Sequence, residues 1–168
     1  MNGSLLYSHI VMTTLVRFVQ CLSLGAWIGS ILFFGAIMAP AAFTLFSSEQ
    51  AANLVNLTLG RLHLVGMVCG VIYLIVAAAG ARTPAALLRP APLLVLAMIV
   101  TTFVSQFWVI GNMEALRAQA GGSILSLPDG NAIRASFDRL HVLSVRLEGG
   151  VLLAGVVALL LTSRPLSA

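Results

Sequence analysis

The sequence predicts an all-α, integral-membrane four-helix bundle, and three observations carry that prediction. Four apolar stretches are long enough to cross a bilayer, the helix breakers fall between them, and charge is scarce. Of 168 residues, 60% are hydrophobic and 8% charged, whereas a soluble domain carries about 25% charged residues. A hydrocarbon layer of about 30 Å takes about 20 helical residues to cross, and such stretches lie near residues 18–39, 61–80, 91–111 and 141–162. The chain, 1–168, reads as one four-span domain whose first partner is the lipid bilayer.

The first span follows an amphipathic lead, residues 5–17, whose Arg17 can snorkel to an interface. Pro40 disfavours helical geometry at Ala39, so this span is expected to end there. Ser47 with Gln50 three residues on is a capping-box start for the second helix. From Ser48 to Gly80 only glycine interrupts, which allows a continuous helix of about 50 Å, longer than the bilayer core. Residues 81–92, with three prolines and two arginines, form a turn. The third helix runs to Gly111 with an extension towards Gln119, and Gly121-Gly122 break it. Pro128-Asp129 suits a new start, and no strong breaker follows before Thr162.

Each half is therefore a span, a loop and a long helix that begins outside the membrane. An offset of 78 residues aligns Asn53 with Asn131, Arg61-Leu62-His63 with Arg139-Leu140-His141, and Leu74 with Leu152. The pattern fits two repeated helical hairpins with long, protruding second and fourth helices. Repeats of this kind place sites at the repeat interface. Because the second and fourth helices run in the same direction, His63 and His141 are expected at similar depth near one face.

All nine basic residues are arginines, and the formal charge is +4. They are dispersed at helix ends, without the basic stripe that nucleic-acid binding needs. Arg17, Arg82, Arg89 and Arg164 share one side with no acid, while Arg61, Arg117, Arg134 and Arg139 share the other with Glu49, Glu114, Asp129 and Asp138. Weighting the short loops puts both termini in the cytoplasm. Cys21 and Cys69 sit within apolar runs and read as small apolar residues. The opening residues lack the basic region and cleavage site of a secretory signal. No GxSxG, HExxH or phosphate-cradling glycine loop occurs, which disfavours hydrolase or kinase chemistry.

Asp138 to Leu161 is an apolar run that carries His141, Arg146 and Glu148 in its first third. Ionisable groups inside a span are costly, and each is a functional-site hypothesis. Glu148 needs a partner, and Ser105 and Gln106 on the third helix are at matching depth. One reading of the histidine pair is bis-imidazole ligation of haem b by His63 and His141, with Arg61 and Arg139 meeting propionates and Glu148 and Asn112 as polar neighbours. A second gives each histidine only an interfacial hydrogen-bonding role. A third is soft metal binding, with His63, His141 and Met67 suited to copper. Gly25/Gly29 and Gly66/Gly70, in GxxxG spacing, allow close helix approach. Trp27 and Trp108 serve as interfacial anchors or as packing.

The run Trp27-Ile28-Gly29-Ser30-Ile31-Leu32-Phe33-Phe34, followed by Ala39-Pro40-Ala41-Ala42-Phe43, resembles the first-span motif of a bacterial four-helix family of unknown function related to transmembrane protein 205. Phe137 to Ser144, FDRLHVLS, is similar to that family's other recurrent stretch. The resemblance implies a bacterial inner-membrane location, and the family in turn is similar to the CopD-like group of copper-uptake and haem proteins. Two departures stand out: His63 where the family is expected to have an aromatic, and Glu148 where it is expected to have an asparagine. Haem binding, copper handling or small-solute transport, and a structural role among membrane-protein partners or in a homo-oligomer all stay open. A catalysed reaction is the less favoured class.

Overall fold

A computed structural model describes residues 3–81 and 83–164, with side chains from residue 11 onward except Pro84. Helix α1 (Gly3–Phe33) continues through a π turn (Phe34–Met38) into α2 (Ala39–Leu45). Then come α3 (Ser48–Ala79), a 3-10 turn (Pro84–Leu88), α4 (Pro90–Val104), a second π turn (Ser105–Ile110), α5 (Gly111–Gln119) and α6 (Ala132–Ser163). Four spans long and apolar enough to cross a membrane result: Val11–Leu45, Ser48–Ala79, Pro90–Gln119 and Ala132–Ser163. The protein is thus an all-α four-helix bundle with the composition of an integral membrane protein. The 32-residue α3 and α6 are each about 48 Å long, and the first and third spans are long as well.

The first span does not stop before Pro40. A proline ring inside a regular helix collides with the carbonyl four residues back. Here the π turn widens the helix just ahead of it, with Ala39 N donating to Phe34 O, and the helix runs on to Leu45. Ser47 caps α3 by accepting from Gln50 N, and its hydroxyl donates to Gln50 Oε1. Helix α6 starts three residues later than Asp129. Asn131 is its cap, accepting from Ile133 N and Arg134 N, while Asp129 pairs with Arg134 at 2.6 Å. The break after α5 is made by Gly121 and Gly122 at φ +72° and +99°, a region open to glycine at little cost.

Helix α1 packs on α3 and α6, and α4 packs on the same two, so α3 and α6 face each other across the diagonal of the bundle. The core between them is built from Leu24, Trp27, Ile31, Tyr73, Val95, Met98 and Val151. Two glycines admit the indole of Trp27 against α3: a Cβ on Gly66 would overlap its Nε1, Cε2 and Cδ1, and one on Gly70 would overlap its Cζ3 and Ile99. The Gly66/Gly70 spacing is therefore a groove within the molecule. Nothing lies within 4 Å of a Cβ built on Gly25 or Gly29. A second apolar cluster closes the other end, where Val109, Ile110 and Met113 meet Phe137, Leu140, Leu143 and Leu147. The outer surface carries leucine, valine, isoleucine and phenylalanine along every span, which suits lipid.

Candidate functional site

The midpoints of the four spans fall at residues 28, 63–64, 104–105 and 147–148. Trp27, His63, Gln106 and Glu148, one from each span, all lie within two residues of these points, at mid-height of the bundle. Counted along the helices from Gly80, Pro90 and Arg164, the last three residues are about 24 Å from the end where the termini lie. His63 is fully buried. Its Nδ1 lies 2.7 Å from Gln106 Oε1 and its Nε2 3.1 Å from Glu148 Oε2. The histidine thus joins the diagonal pair α3 and α6, and Gln106 braces it from the third span. Gln106 owes its position to the π turn at Ser105–Ile110, a local widening that recurs at functional sites.

The hydrogen-bond inventory of these three groups limits their states. With the amide oxygen presented, Nδ1–H donates to Gln106. The second contact is then made either by an imidazolium donating to the carboxylate or by a neutral carboxyl donating to Nε2. Both arrangements hold the same number of protons. If the amide turns end for end, its NH2 donates to Nδ1 and Nε2–H donates to the carboxylate. The group has then lost one proton and kept both contacts. On the α3 side the amide faces Gly60, where a Cβ would stand 3.9 Å from both amide atoms.

Four further buried polar atoms have no hydrogen-bond partner among the described residues: Trp27 Nε1, Thr102 Oγ1, Ser105 Oγ and Glu148 Oε1. Thr102 is one turn from Gln106, and Trp27 Nε1 sits against Gly66, one turn from His63. Unsatisfied buried polar groups cost about 1–3 kcal/mol each, so four of them on spans at the height of the His63–Glu148 contact mark a candidate site. Glu148 keeps 17% side-chain exposure.

Of the residues singled out in the sequence, His63 and Glu148 are brought together. The anticipated partner Gln106 reaches His63 and not Glu148, and Ser105 reaches neither. His141, Arg61, Arg139, Arg146 and Asn112 are exposed, and Met67 is half-buried. The Asn112 side chain donates to the Trp108 carbonyl on its own helix. His141 stands apart because at this height α6 turns Phe137, Leu140, Leu143 and Leu147 towards the third span, leaving residue 141 on the flank. Thr102 was not foreseen at all. Trp27, read as an interfacial anchor or as packing, is packing: it is 1% exposed in the bundle core.

The profile of a domain of unknown function, DUF4149, matches residues 22–121. This chain belongs to the DUF4149 family. No curated protein and no solved structure matches it. The DUF4149 segment carries Trp27, His63 and Gln106 but stops short of α6, so Glu148 and His141 lie outside it. The two positions expected to depart from the family pattern are hydrogen-bonded to each other, so the half-buried carboxyl comes with its compensating ring.

Bis-imidazole ligation of haem needs one free nitrogen from each of two facing imidazoles. Both nitrogens of His63 are engaged within the protein and His141 is exposed, so this pair does not fit the group. Among the described residues no three His, Cys, Asp or Glu side chains cluster as metal ligands would.

Proposed function

We propose that this DUF4149 member is a proton-coupled membrane transport protein for a small polar solute, with His63, Glu148 and Gln106 as its protonatable latch. One observation carries the reading: an imidazole and a carboxyl in hydrogen-bond contact tie diagonally opposed helices at mid-height, with unpartnered polar atoms around them. Such a latch can gain or lose a proton by turning one amide. The contact between α3 and α6 is then sensitive to proton occupancy, which is the element a coupled transporter requires. The orphaned groups of Trp27, Thr102, Ser105 and Glu148 are the hydrogen-bonding surface a small polar solute or a water chain would use. The resemblance to the transmembrane protein 205 and CopD-like groups belongs to this proposal as a likeness of membrane architecture.

The test is proton movement in proteoliposomes loaded with a pH-sensitive dye, alongside infrared difference spectra between about pH 5 and about pH 8, the range in which histidine changes charge. With small polar solutes such as amino acids or sugars supplied on one side, wild-type protein should collapse an imposed pH gradient faster than empty vesicles and show a carboxyl band that Glu148→Gln abolishes. Gln106→Leu, which removes the turning amide, should slow the flux. Flux equal to that of empty vesicles, with a spectrum unaltered by Glu148→Gln, would sink the proposal.

A further inference from the structure

At the opposite end of the bundle from the acid-bearing loops, a cavity of about 320 Å³ opens between the start of the first span, the end of α3, the start of α4 and the end of α6. Arg17, Arg89 and Arg164 line it, and no acidic residue does. Arg17 Nη2 donates to the Arg164 carbonyl at 3.0 Å, which ties the first span to the end of α6 and leaves its other N–H groups free to bind. Gln20 also lines the cavity, 9% exposed. Its amide has no hydrogen-bond partner among the described residues. The inner wall is closed by Tyr73 and Thr162, whose hydroxyls bond each other at 2.8 Å.

The contrast with the other end is the decisive point. There Arg117 pairs with Glu114 at 3.0 Å and Arg134 with Asp129 at 2.6 Å, and Arg61, unpaired among the described residues, lines a hollow that holds no second arginine. The three cavity arginines meet no carboxylate among the described residues. Three guanidinium groups around one hollow repel each other until an anion enters; the positive dipole end at the start of α4 is opposed by the negative ends of α3 and α6, so the arginines carry the attraction. Guanidinium forks match phosphate oxygens two at a time. A neutral amide donor held beneath them supplies a further hydrogen bond.

We propose that this cavity binds a phosphate group, that of an anionic lipid headgroup whose chains lie along the apolar outer faces of the spans. The lipid source is favoured by position: the cavity lies where the spans end and their lipid-facing side chains begin. It is also on the side that the arginine asymmetry assigns to the cytoplasm, the leaflet in which anionic lipids gather.

The test uses the full chain, delipidated in a mild detergent, with bound lipid measured by native mass spectrometry and thermal stability followed in parallel. The probes are phosphatidylglycerol, phosphatidylcholine and inorganic phosphate. Phosphatidylglycerol should bind at least tenfold more tightly than phosphatidylcholine and raise the melting temperature. Each of Arg17→Gln, Arg89→Gln and Arg164→Gln should weaken it about fivefold and the triple variant about a hundredfold. Gln20→Leu, which keeps every charge, should weaken it as well and guards against a triple variant that fails to fold. Arg61→Gln with Arg139→Gln removes charge at the far end and should leave binding unchanged. Displacement of phosphatidylglycerol by inorganic phosphate at millimolar concentration would keep the phosphate site and make free phosphate its occupant. Equal retention of both lipids, insensitive to the three arginines and to Gln20, would overturn the site.

Discussion

His63→Leu removes a fully buried ring that holds two partners on two other spans. The loss leaves the Glu148 carboxyl without its hydrogen bond in an apolar interior and strands the Gln106 amide. Breaking a buried pair from one side costs about 3–5 kcal/mol, because the surviving group stays desolvated and unpartnered. Glu148→Leu is milder, about 1–3 kcal/mol, since His63 keeps its bond to Gln106. The double variant, His63→Leu with Glu148→Leu, leaves no lone charge and should cost well under the sum. A hydrogen bond involving a charged group is worth about 1.5–3 kcal/mol, and in the imidazolium–carboxylate arrangement unit charges at 3.1 Å attract by about 5 kcal/mol at an effective dielectric of about 20. A coupling of about 2 kcal/mol or more is therefore expected. Unfolding by sodium dodecyl sulphate in dodecyl maltoside micelles, followed by tryptophan fluorescence, gives the four stabilities the cycle needs. Costs that add to within about 0.5 kcal/mol, the behaviour of independent sites, would refute the argument that the two groups act as one unit.

Gly66→Ala should destabilise by about 1–3 kcal/mol by overpacking, since its Cβ would overlap the Trp27 indole, while Gly29→Ala, with nothing within 4 Å, should change stability little; thermal unfolding of the two variants decides it. Asn131→Ala removes the cap that accepts from Ile133 N and Arg134 N; it should cost about 1 kcal/mol and raise hydrogen exchange in the first turn of α6. Tyr73→Phe deletes one side of the Tyr73–Thr162 hydrogen bond and should cost about 1 kcal/mol, read as a lowered melting temperature. Asp129→Asn breaks an exposed pair with Arg134 and should cost less than about 1 kcal/mol, with an effect that vanishes in high salt.

What the sequence determined is whatever depends on local composition and spacing. Spans of bilayer length, the Ser47 cap, the glycine break at 121–122 and the continuity of α3 and α6 all follow from apolar runs and from breakers that act within a few residues. The suspicion that His63 and Glu148 matter follows the same way, because a titratable group in an apolar run is costly wherever it points. The tertiary structure decided which of these groups meet. His63 and His141 follow the same Arg-Leu pair in the sequence. The first is buried and bonded to two other spans, while the second lies where α6 turns a different face inward to pack on the end of the third span. A one-dimensional repeat cannot register that rotation. Nor could spacing reveal the π turn that carries the first helix past Pro40, or the one that sets Gln106 against His63. The arginine cavity was visible only as a tally of charge on one side. That Arg17, Arg89 and Arg164 share one hollow follows from four helix ends converging, and such convergence is set by packing between spans far apart in the chain.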